Sequence, residues 1–328
     1  MDTDVLIIGA GPVGLFAAYQ AGQLGMRSCV TDILPFAGGQ CSELYPQKPI
    51  YDIAGMPKIL AKDLVANLLK QAAPFKPEYH FNQQIVDITP KNTGFRAITN
   101  QGIVIQAKVV LIAAGNGSFV PNKPFVKNLE SYENSSVFYS ITDPELFRGK
   151  QVLIAGGGDS AVDWAIILQS IAQKVYLVHR REKFSCNPDN FNKIQELQNQ
   201  GKVKILVPYQ VSEIIGTNQK IEHVLLDNFV TDEKLQLNVD YLLPFFGLKM
   251  DLGPIKNWQL ETENNKIKVE RSFYQTNISG IYAIGDIATY EGKLKLIVCG
   301  FSEAAIALHH AYSRVFDGKQ LHFRHSTA

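Results

Sequence analysis

The fold is decided by one stretch near the start of the chain, Val5-Leu6-Ile7-Ile8-Gly9-Ala10-Gly11-Pro12-Val13-Gly14. Its short apolar run is typical of a buried parallel strand. The Gly-x-Gly-x-x-Gly spacing that follows is the turn by which a strand and a helix hold a dinucleotide pyrophosphate. The pattern predicts a helix over residues 14–25 and a second strand over residues 28–32. Together these elements form a βαβ nucleotide-binding unit.

Each residue of this turn has a separate task. Gly9 permits the tight turn, Gly11 lets the backbone approach the pyrophosphate, and Gly14 lets the helix and the strand pack closely. The helix N-terminus adds free N–H groups and a partial positive charge for the diphosphate. Asp32 ends the second strand and accepts a hydrogen bond from the ribose 2′-OH. The first site therefore favours an adenosine without a 2′-phosphate, as in FAD or NAD.

A second glycine-rich fingerprint is followed by basic residues rather than by an acid. An apolar strand over residues 152–155 precedes Gly156-Gly157-Gly158-Asp159-Ser160-Ala161, and a strand over 175–178 precedes His179-Arg180-Arg181. Planar, permanently charged guanidinium groups suit a phosphate dianion. This second site therefore favours NADP. Two dinucleotides on one chain suggest that electrons pass from one to the other.

The order of these units predicts the domain organisation. A buried strand over 109–115 is followed by Pro121-Asn122-Lys123-Pro124, which marks a crossover between domains. A strand over 241–246 ends the second unit, and a strand over 281–286 with a helix over 302–312 returns to the first. We expect an α/β fold with two Rossmann-like nucleotide-binding domains, the second inserted into the first. Residues 1–116 and 248–328 form one domain, and residues 117–247 form the other.

Composition excludes several classes of partner. Hydrophobic residues make up 46% and charged residues 19% of the chain, as in globular proteins. A net charge of +1 selects neither nucleic acid nor an anionic membrane surface. No apolar run approaches the ~20 residues of a membrane span, and no leader segment is visible. We expect a cytoplasmic protein. The four cysteines form no Cys-x-x-Cys, and no metal site is predicted.

These residues together resemble the thioredoxin reductase-like flavoproteins and, within them, the ferredoxin–NADP reductases of that fold. The resemblance covers nearly the whole chain. It rests on both fingerprints, on His179-Arg180-Arg181, and on further pieces: Gly38-Gly39-Gln40, Leu44-Tyr45-Pro46, Ala113-Ala114-Gly115-Asn116-Gly117, Gly285-Asp286 and His325-Ser326-Thr327. It implies FAD in the first domain, NADPH in the second, and a homodimer.

The resemblance also implies residues that contact FAD. The aspartate matching Asp286 bonds the ribityl chain of the flavin, and the helix after it points its N-terminus at the carbonyl end of the ring. Tyr45 would cover one ring face, and His325, from either subunit, would cover the other. The remaining contacts would come from Gln40, Ile85, Phe119, Ser326 and Thr327.

For NADPH, the resemblance implies contacts along the second fingerprint. Gly156, Gly158 and Ala161 form a Gly-x-Gly-x-x-Ala variant, Ser160 adds a hydroxyl, and His179-Arg180-Arg181 follow. Relatives often carry a further arginine downstream, where Ser185 and Cys186 stand here. NADPH remains the predicted nucleotide, whereas the degree of preference over NADH stays open.

Missing cysteines point to the electron acceptor. The slot of the thioredoxin reductase Cys-x-x-Cys holds Tyr139-Ser140-Ile141-Thr142. The glutathione reductase-like position offers Cys41, but its second cysteine is replaced by Pro46. Without a redox-active disulfide, the flavin must hand electrons directly to an external carrier such as ferredoxin or flavodoxin. Ferredoxins are typically acidic, so a basic docking patch is expected, with candidates Lys48, Lys58, Lys293 and Lys295.

Two other functions remain open from the sequence. Cys41 beside a flavin could form a sulfenic acid, which would make the chain a single-cysteine peroxidase or disulfide reductase. Alternatively, the chain could be a redox-sensing module whose bound flavin and NADPH are read by a partner. Sustained turnover with an acceptor distinguishes an enzyme from a sensor.

Overall fold

The computed structural model describes residues 1–321, without the side chains of residues 118–120, 248 and 250. The chain divides into two compact units. Met1–Phe119 and the chain from Met250 onward form unit 1, and Val120–Lys249 forms unit 2. The sequence prediction placed the crossings at 116/117 and 247/248, and the contacts place them at 119/120 and 249/250.

The described chain contains α-helices separated by single strands or by longer runs of strands. The helices are α1 (Pro12–Gln23), α2 (Gln40–Glu43), α3 (Ala61–Ala72), α4 (Asp159–Leu168), α5 (Pro188–Asn199) and α6 (Ile297–Val315). The strands are β1 (Asp2–Ile8), β2 (Ser28–Thr31), β3 (Pro49–Ile50), β4 (Ile59–Leu60), β5 (Glu78–His80), β6 (Ile85–Lys91), β7 (Gly94–Thr99), β8 (Val104–Ile112), β9 (Ser118–Pro121), β10 (Gln151–Ala155), β11 (Lys174–Val178), β12 (Val203–Leu206), β13 (Tyr209–Thr217), β14 (Lys220–Asn228), β15 (Lys234–Asn238), β16 (Tyr241–Pro244), β17 (Leu248–Asp251), β18 (Thr262–Glu263), β19 (Lys266–Lys268), β20 (Ile281–Ala283) and β21 (Ala288–Thr289).

The main sheet of unit 1 has the order β5-β2-β1-β8-β7-β6, and β20 pairs with β8. β1, β2, β5, β8 and β20 run parallel, whereas β7 and β6 add an antiparallel edge. Both faces of β1 are buried, as parallel sheets require. Val5 and Ile7 face a core shared with α1, α3 and α6. Leu6 and Ile8 face a second core on the other side of the sheet.

Unit 2 has its own parallel sheet, of order β12-β11-β10-β16, and a separate antiparallel sheet, of order β13-β14-β15. Leu153 and Ala155 of β10 join Ile214, Val224 and Leu226 of the antiparallel sheet in one core. The predicted α/β class with Rossmann-like units is confirmed by this topology and by the structural comparisons reported below.

Element ends differ from the prediction for local reasons. The first helix begins at Pro12 rather than residue 14, because proline suits the first helical position. The strand predicted over 281–286 ends at Ala283, and Gly285–Ile287 forms a 3₁₀ turn. The last helix begins at Ile297 rather than at residue 302, so the apolar residues before Ser302 form its first turn. This earlier start brings Gly300 onto the helix that carries Glu303.

Candidate nucleotide-binding sites

The first glycine turn has the space that a pyrophosphate needs. Gly9 has φ +108°, and a Cβ built there would collide with the carbonyl of Ala113. A Cβ on Gly14 would collide with the carbonyl oxygen of Gly9, so α1 crosses the end of β1 in close contact. Gly11 differs, because a Cβ there meets nothing within 4 Å. Gly11 therefore borders open space, whereas Gly9 and Gly14 are needed by the fold itself.

Asp32 is held at the end of β2 by the backbone. Its Oδ2 accepts a hydrogen bond from the Ala10 N–H at 2.6 Å, and its Oδ1 accepts one from the Leu34 N–H at 2.9 Å. Burial raises the pKa of Asp32, and these N–H donors oppose that rise. Each carboxylate oxygen has a second lone pair. Asp32 can therefore still accept from ribose hydroxyls while it locks the glycine turn.

Three buried polar atoms near Asp32 lack a partner among the described residues. They are Thr31 Oγ1, Tyr79 OH and Gln83 Oε1. β2 pairs with β5, and the Gln83 N–H donates to the carbonyl of Asp32 at 2.8 Å, so the segments that carry these groups meet at one sheet edge. Buried polar groups in folded proteins nearly always have a partner. Thr31 and Tyr79 lie on opposite faces of the β2–β5 pair, so a nucleoside at this edge would supply a partner on one face only. The free lone pairs of Asp32 and the open space at Gly11 fit the adenosine of FAD.

The Gly38-Gly39-Gln40 segment lies against the same turn. The Gly38 N–H donates to the carbonyl of Ala10 at 2.8 Å, and a Cβ on Gly39 would stand 3.2 Å from the Cα of Gly11. Gln40 begins α2, and its Nε2 lies 3.7 Å from the position of a Cβ on Gly115. The structure thus brings Gln40 to the first fingerprint, where sequence distance alone does not place it.

Tyr45 packs against the α1, α3 and α6 core and is partly buried. The Cys41 thiol lies 4.0 Å from its hydroxyl, and Lys48 Nζ stands 5.6 Å from its ring centroid. Burial raises the pKa of Tyr45, which keeps the phenol protonated. The side chain is therefore a neutral aromatic ring, as stacking on a flavin requires.

Asp286 lies in the 3₁₀ turn of residues Gly285–Ile287, and the turn is anchored to α6. The Gly285 N–H donates to Glu303 Oε2 at 2.7 Å. Glu303 Oε1 accepts from the Tyr290 hydroxyl at 2.7 Å and from the Lys293 ammonium. The sequence analysis missed Glu303, and an acid inside an apolar helix pattern was the available sign.

Lys293 corrects one part of the docking-patch prediction. Its side chain is 7% exposed and is ion-paired with Glu303, which is 1% exposed. A buried, paired ammonium cannot form part of a patch that attracts an acidic partner. Lys58 and Lys295 are exposed, and Lys48 is partly exposed.

Other predicted contacts have different surroundings. Ile85 is 2% exposed and belongs to the second core of unit 1, where it packs with apolar side chains. Phe119 lies in β9, and its side chain is not described. His325, Ser326 and Thr327 lie outside the described residues.

The second glycine turn repeats this geometry in unit 2. Gly156 follows β10 with φ +155°, and a Cβ on it would stand 3.0 Å from the Cβ of Ala161. Gly158 is the N-cap of α4, in extended conformation. Ser160 is exposed in the first turn of that helix, whereas Ala161 is fully buried. Alanine at 161 therefore serves the close strand–helix packing, and the helix N-terminus is open to an anion.

His179 packs against the turn and both arginines extend from it. A Cβ on Gly157 would stand 2.5 Å from the imidazole Cδ2 of His179. Burial lowers the pKa of His179, and the charges of Arg180 and Arg181 lower it further, so the ring is neutral at physiological pH. Both arginines are exposed, and neither has a carboxylate partner within residues 1–321. Their charge is available to a phosphate.

Ser185 closes over the glycine turn. Its N–H donates to the carbonyl of Gly157 at 2.8 Å, and its Oγ donates to the same oxygen at 3.3 Å. The Asn187 N–H donates to Asp159 Oδ1 at 2.7 Å. The segment that lacks the further arginine is thus fastened to the fingerprint, which the sequence spacing did not reveal.

All four cysteines are free thiols in this structure. Cys41 is 2% exposed, and burial raises its pKa to about 11. About one Cys41 in ten thousand is then ionised at neutral pH, and the thiolate is the reactive form. In the thioredoxin reductase slot, the Tyr139 hydroxyl instead donates to Glu133 at 2.6 Å.

Iodoacetamide at neutral pH should therefore modify Cys299, which is partly exposed, well before Cys41. Mass spectrometry of tryptic peptides after a short reaction measures both. The denatured protein is the control, because all four thiols are then accessible. Equal reaction rates of Cys41 and Cys299 in the folded protein would contradict the burial argument.

Two kinds of feature are absent from residues 1–321. No helix there is long and apolar enough to cross a lipid bilayer. No group of three or more histidine, cysteine, aspartate or glutamate residues there is arranged to hold a metal ion.

Two Rossmann-like units, one with an acid and one with arginines after its glycine turn, define a nucleotide-dependent oxidoreductase with two dinucleotide sites. The chain belongs to the pyridine nucleotide-disulphide oxidoreductase family, whose model matches residues 3–306. It is therefore an oxidoreductase, and the predicted resemblance is confirmed.

The most informative relatives and structures agree with this assignment. The ferredoxin–NADP reductase of Rickettsia felis is 53% identical over 325 residues, covering 99% of this chain and 97% of that protein. That of Rickettsia canadensis is 54% identical over 327 residues, covering 99% and 96%. The crystal structure of T. acidophilum thioredoxin reductase is similar with a TM-score of 0.84 at 26% identity, covering 96% of this chain and 99% of that one. Lactococcus lactis thioredoxin reductase gives 0.82 at 25% identity, with the same coverage.

Proposed function

We propose that this enzyme transfers electrons between NADPH and ferredoxin through bound FAD, without a redox-active disulfide. The observation that carries the proposal is the pair of nucleotide turns with Asp32 after one and Arg180-Arg181 after the other, in a chain whose thiols are all free. The ferredoxin–NADP reductases that match the chain over its full length support the choice of acceptor.

The residues of the first site would hold FAD. Asp32 accepts from the ribose, the Gly11 backbone leaves room for the pyrophosphate, and Asp286 faces the ribityl chain. Tyr45 covers one face of the ring, and His325 from the tail covers the other, with Gln40, Ile85, Phe119, Ser326 and Thr327 as further contacts. When bound, FAD supplies a ring that accepts a hydride and passes electrons on one at a time.

The residues of the second site would hold NADPH. The N-terminus of α4, with Gly156, Gly158, Ser160 and Ala161, faces the pyrophosphate. Arg180 and Arg181 bind the 2′-phosphate as planar charged donors, and His179 supports the turn as a neutral ring. No side-chain acid, base or nucleophile is needed for hydride transfer, so orientation of the two nucleotides is the contribution of the protein.

The partner and setting are part of the same proposal. Flavodoxin is a second one-electron carrier that the enzyme would serve, and Lys48, Lys58 and Lys295 would guide either acidic partner. The enzyme acts as a homodimer in the cytoplasm.

The central experiment starts from the purified yellow protein under anaerobic conditions. Stoichiometric NADPH should bleach the flavin absorbance, and an oxidised ferredoxin added next should restore it while the ferredoxin is reduced. Flavodoxin and a thioredoxin serve as alternative acceptors. Bleaching without reoxidation by either one-electron carrier would contradict the proposed acceptor, and a stall after one flavin equivalent would favour the sensor.

Cys41→Ser tests the single-cysteine reductase. Because the thiol is buried and protonated and is not needed for electron transfer, we expect the flavin spectrum and the ferredoxin-linked turnover to stay close to those of wild type. Cys29→Ser, at a buried thiol of β2, controls for placing a hydroxyl in the core. Loss of turnover in the Cys41 variant alone would support the peroxidase or disulfide reductase.

A further inference from the structure

Glu303, Lys293 and Tyr290 form a charged network buried inside unit 1. The Glu303 carboxylate is 1% exposed and the Lys293 side chain 7% exposed. Glu303 Oε1 accepts from both the Lys293 ammonium and the Tyr290 hydroxyl, and its Oε2 accepts from the Gly285 N–H at 2.7 Å. The ammonium also lies 5.5 Å from the centroid of the Tyr290 ring. Every oxygen of the buried acid is therefore engaged.

The network ties the turn that carries Asp286 to α6. The N–H that Glu303 accepts belongs to the residue directly before Asp286, 18 positions away in sequence. Gly285 has φ +71°, and a Cβ on it would stand 3.5 Å from Val13 in the first turn of α1. Gly300, one turn before Glu303 on α6, also lies against Val13. The acid thus joins α6 to the Asp286 turn, and both α6 and this turn lie against Val13 in α1.

Fold stability alone is a poor explanation for this ion pair. Two charges removed from water cost several kcal/mol each in effective desolvation, and apolar residues of similar volume are often as stabilising. A buried carboxylate with an ammonium partner has a second property, which is that the pair is electrically neutral. A charge left uncompensated there would act through a low-dielectric interior on any nearby group that changes charge.

We propose that Glu303 and Lys293 are a positioning pair for the flavin, in which Glu303 fixes the Asp286 turn and Lys293 cancels the charge of Glu303. This inference rests on the proposed function, because Asp286 meets the ribityl chain only if FAD occupies the first site. Reduction adds negative charge to the flavin. The neutral pair therefore holds the turn in place without opposing or favouring that charge.

The test is the two-electron reduction potential of the purified FAD-loaded protein, measured anaerobically against reference dyes. In Glu303→Gln the ammonium is uncompensated, so the potential should rise. In Lys293→Met the carboxylate is uncompensated, so the potential should fall. The double variant is neutral again and should return close to wild type. Glu291→Gln is the matched control, because it removes an exposed charge from the same loop.

Binding of FAD to the apoprotein separates positioning from charge. Glu303→Ala leaves the Gly285 N–H without an acceptor, which should weaken FAD binding by about tenfold. Glu303→Gln keeps an amide oxygen for that N–H and should bind FAD nearly as wild type does. If the pair had a purely structural role, the variants would have lower melting temperatures, but their reduction potentials would not shift in opposite directions.

The inference is overturned if the reduction potential is unchanged in both single variants, or if it shifts in the same direction in both. If one single variant does not fold, the inference is tested by two results: the sign of the potential shift in the other single variant, and the return of the double variant to the wild-type potential. If the wild-type protein binds FAD and reduces ferredoxin, but the variants have the same reduction potential as wild type, this inference alone is overturned. A wild-type chain that does not hold FAD overturns the proposed function, and the inference with it.

Discussion

Replacing Arg180 and Arg181 together with alanine should raise the KM for NADPH by at least about 100-fold, because each charged hydrogen bond to a phosphate contributes about 1.5–3 kcal/mol. NADH carries no 2′-phosphate, so its KM should change little. Both guanidinium groups follow β11 and have no carboxylate partner among the described residues. Their binding energy is therefore not offset by a broken internal ion pair.

Steady-state kinetics with an artificial acceptor and each nucleotide provide the measurement. Lys183→Ala is the matched control, because it removes an exposed positive charge two residues downstream. Arg180 also lies 5.9 Å from the ring centroid of Phe229, so the single variants show whether stacking adds to its role. Equal increases in KM for both nucleotides would assign the arginines to general electrostatics rather than to the 2′-phosphate.

The second large effect is expected at the first glycine turn, where two alanine substitutions should have different effects. Gly11→Ala should weaken FAD binding, and Gly14→Ala should lower the stability of the fold. Gly11→Ala points a methyl group into open space, so the apoprotein should fold normally. Alanine is a weaker N-cap than glycine, but it has less chain entropy to lose, and the two effects nearly offset each other. The methyl would fill the space of the pyrophosphate, and FAD affinity should fall by about 10- to 100-fold.

Gly14→Ala should instead damage the fold. Its methyl collides with the Gly9 carbonyl oxygen, which belongs to the rigid end of β1. Overpacking of this kind costs about 1–3 kcal/mol, which lowers the melting temperature of a unit this size by about 2–12 °C.

Differential scanning calorimetry of both apoproteins and fluorescence titration with FAD separate the two outcomes. Gly25→Ala is a useful third variant, because its φ of +71° makes it strained while nothing lies within 4 Å of its Cβ position. It should lose stability without an effect on FAD affinity. If Gly11→Ala binds FAD as wild type does, the pyrophosphate does not pass this residue.

Much of the fold could be predicted because its cause is local. A glycine turn, the strand before it and the helix after it lie within 22 consecutive residues in unit 1 (2–23) and 18 in unit 2 (151–168), where steric limits and helix-end chemistry act directly. Both fingerprints and the charges after them are of this kind, as is the absence of paired cysteines. The family follows from these features together.

Residues that meet across the fold could not be predicted in the same way. Lys58, Lys293 and Lys295 look alike as loop lysines, yet Lys293 is buried on Glu303 and the other two are exposed. Only the packing of α6 against the Gly285–Ile287 turn brings Glu303 to the Gly285 N–H. Likewise, the pairing of β2 with β5 brings Thr31 and Tyr79 to the sheet edge that carries Asp32, the predicted ribose ligand.

The amino-acid sequence alone predicted two nucleotide sites, the preference of each for a ribose without or with a 2′-phosphate, and the lack of a redox-active cysteine pair. Glycine geometry and formal charge can be predicted in this way because they are properties of neighbouring residues. The folded structure decided which charges are neutralised in the interior, which cysteine is inert and which loop closes each turn. Those outcomes depend on burial, and burial is fixed only when distant segments pack together.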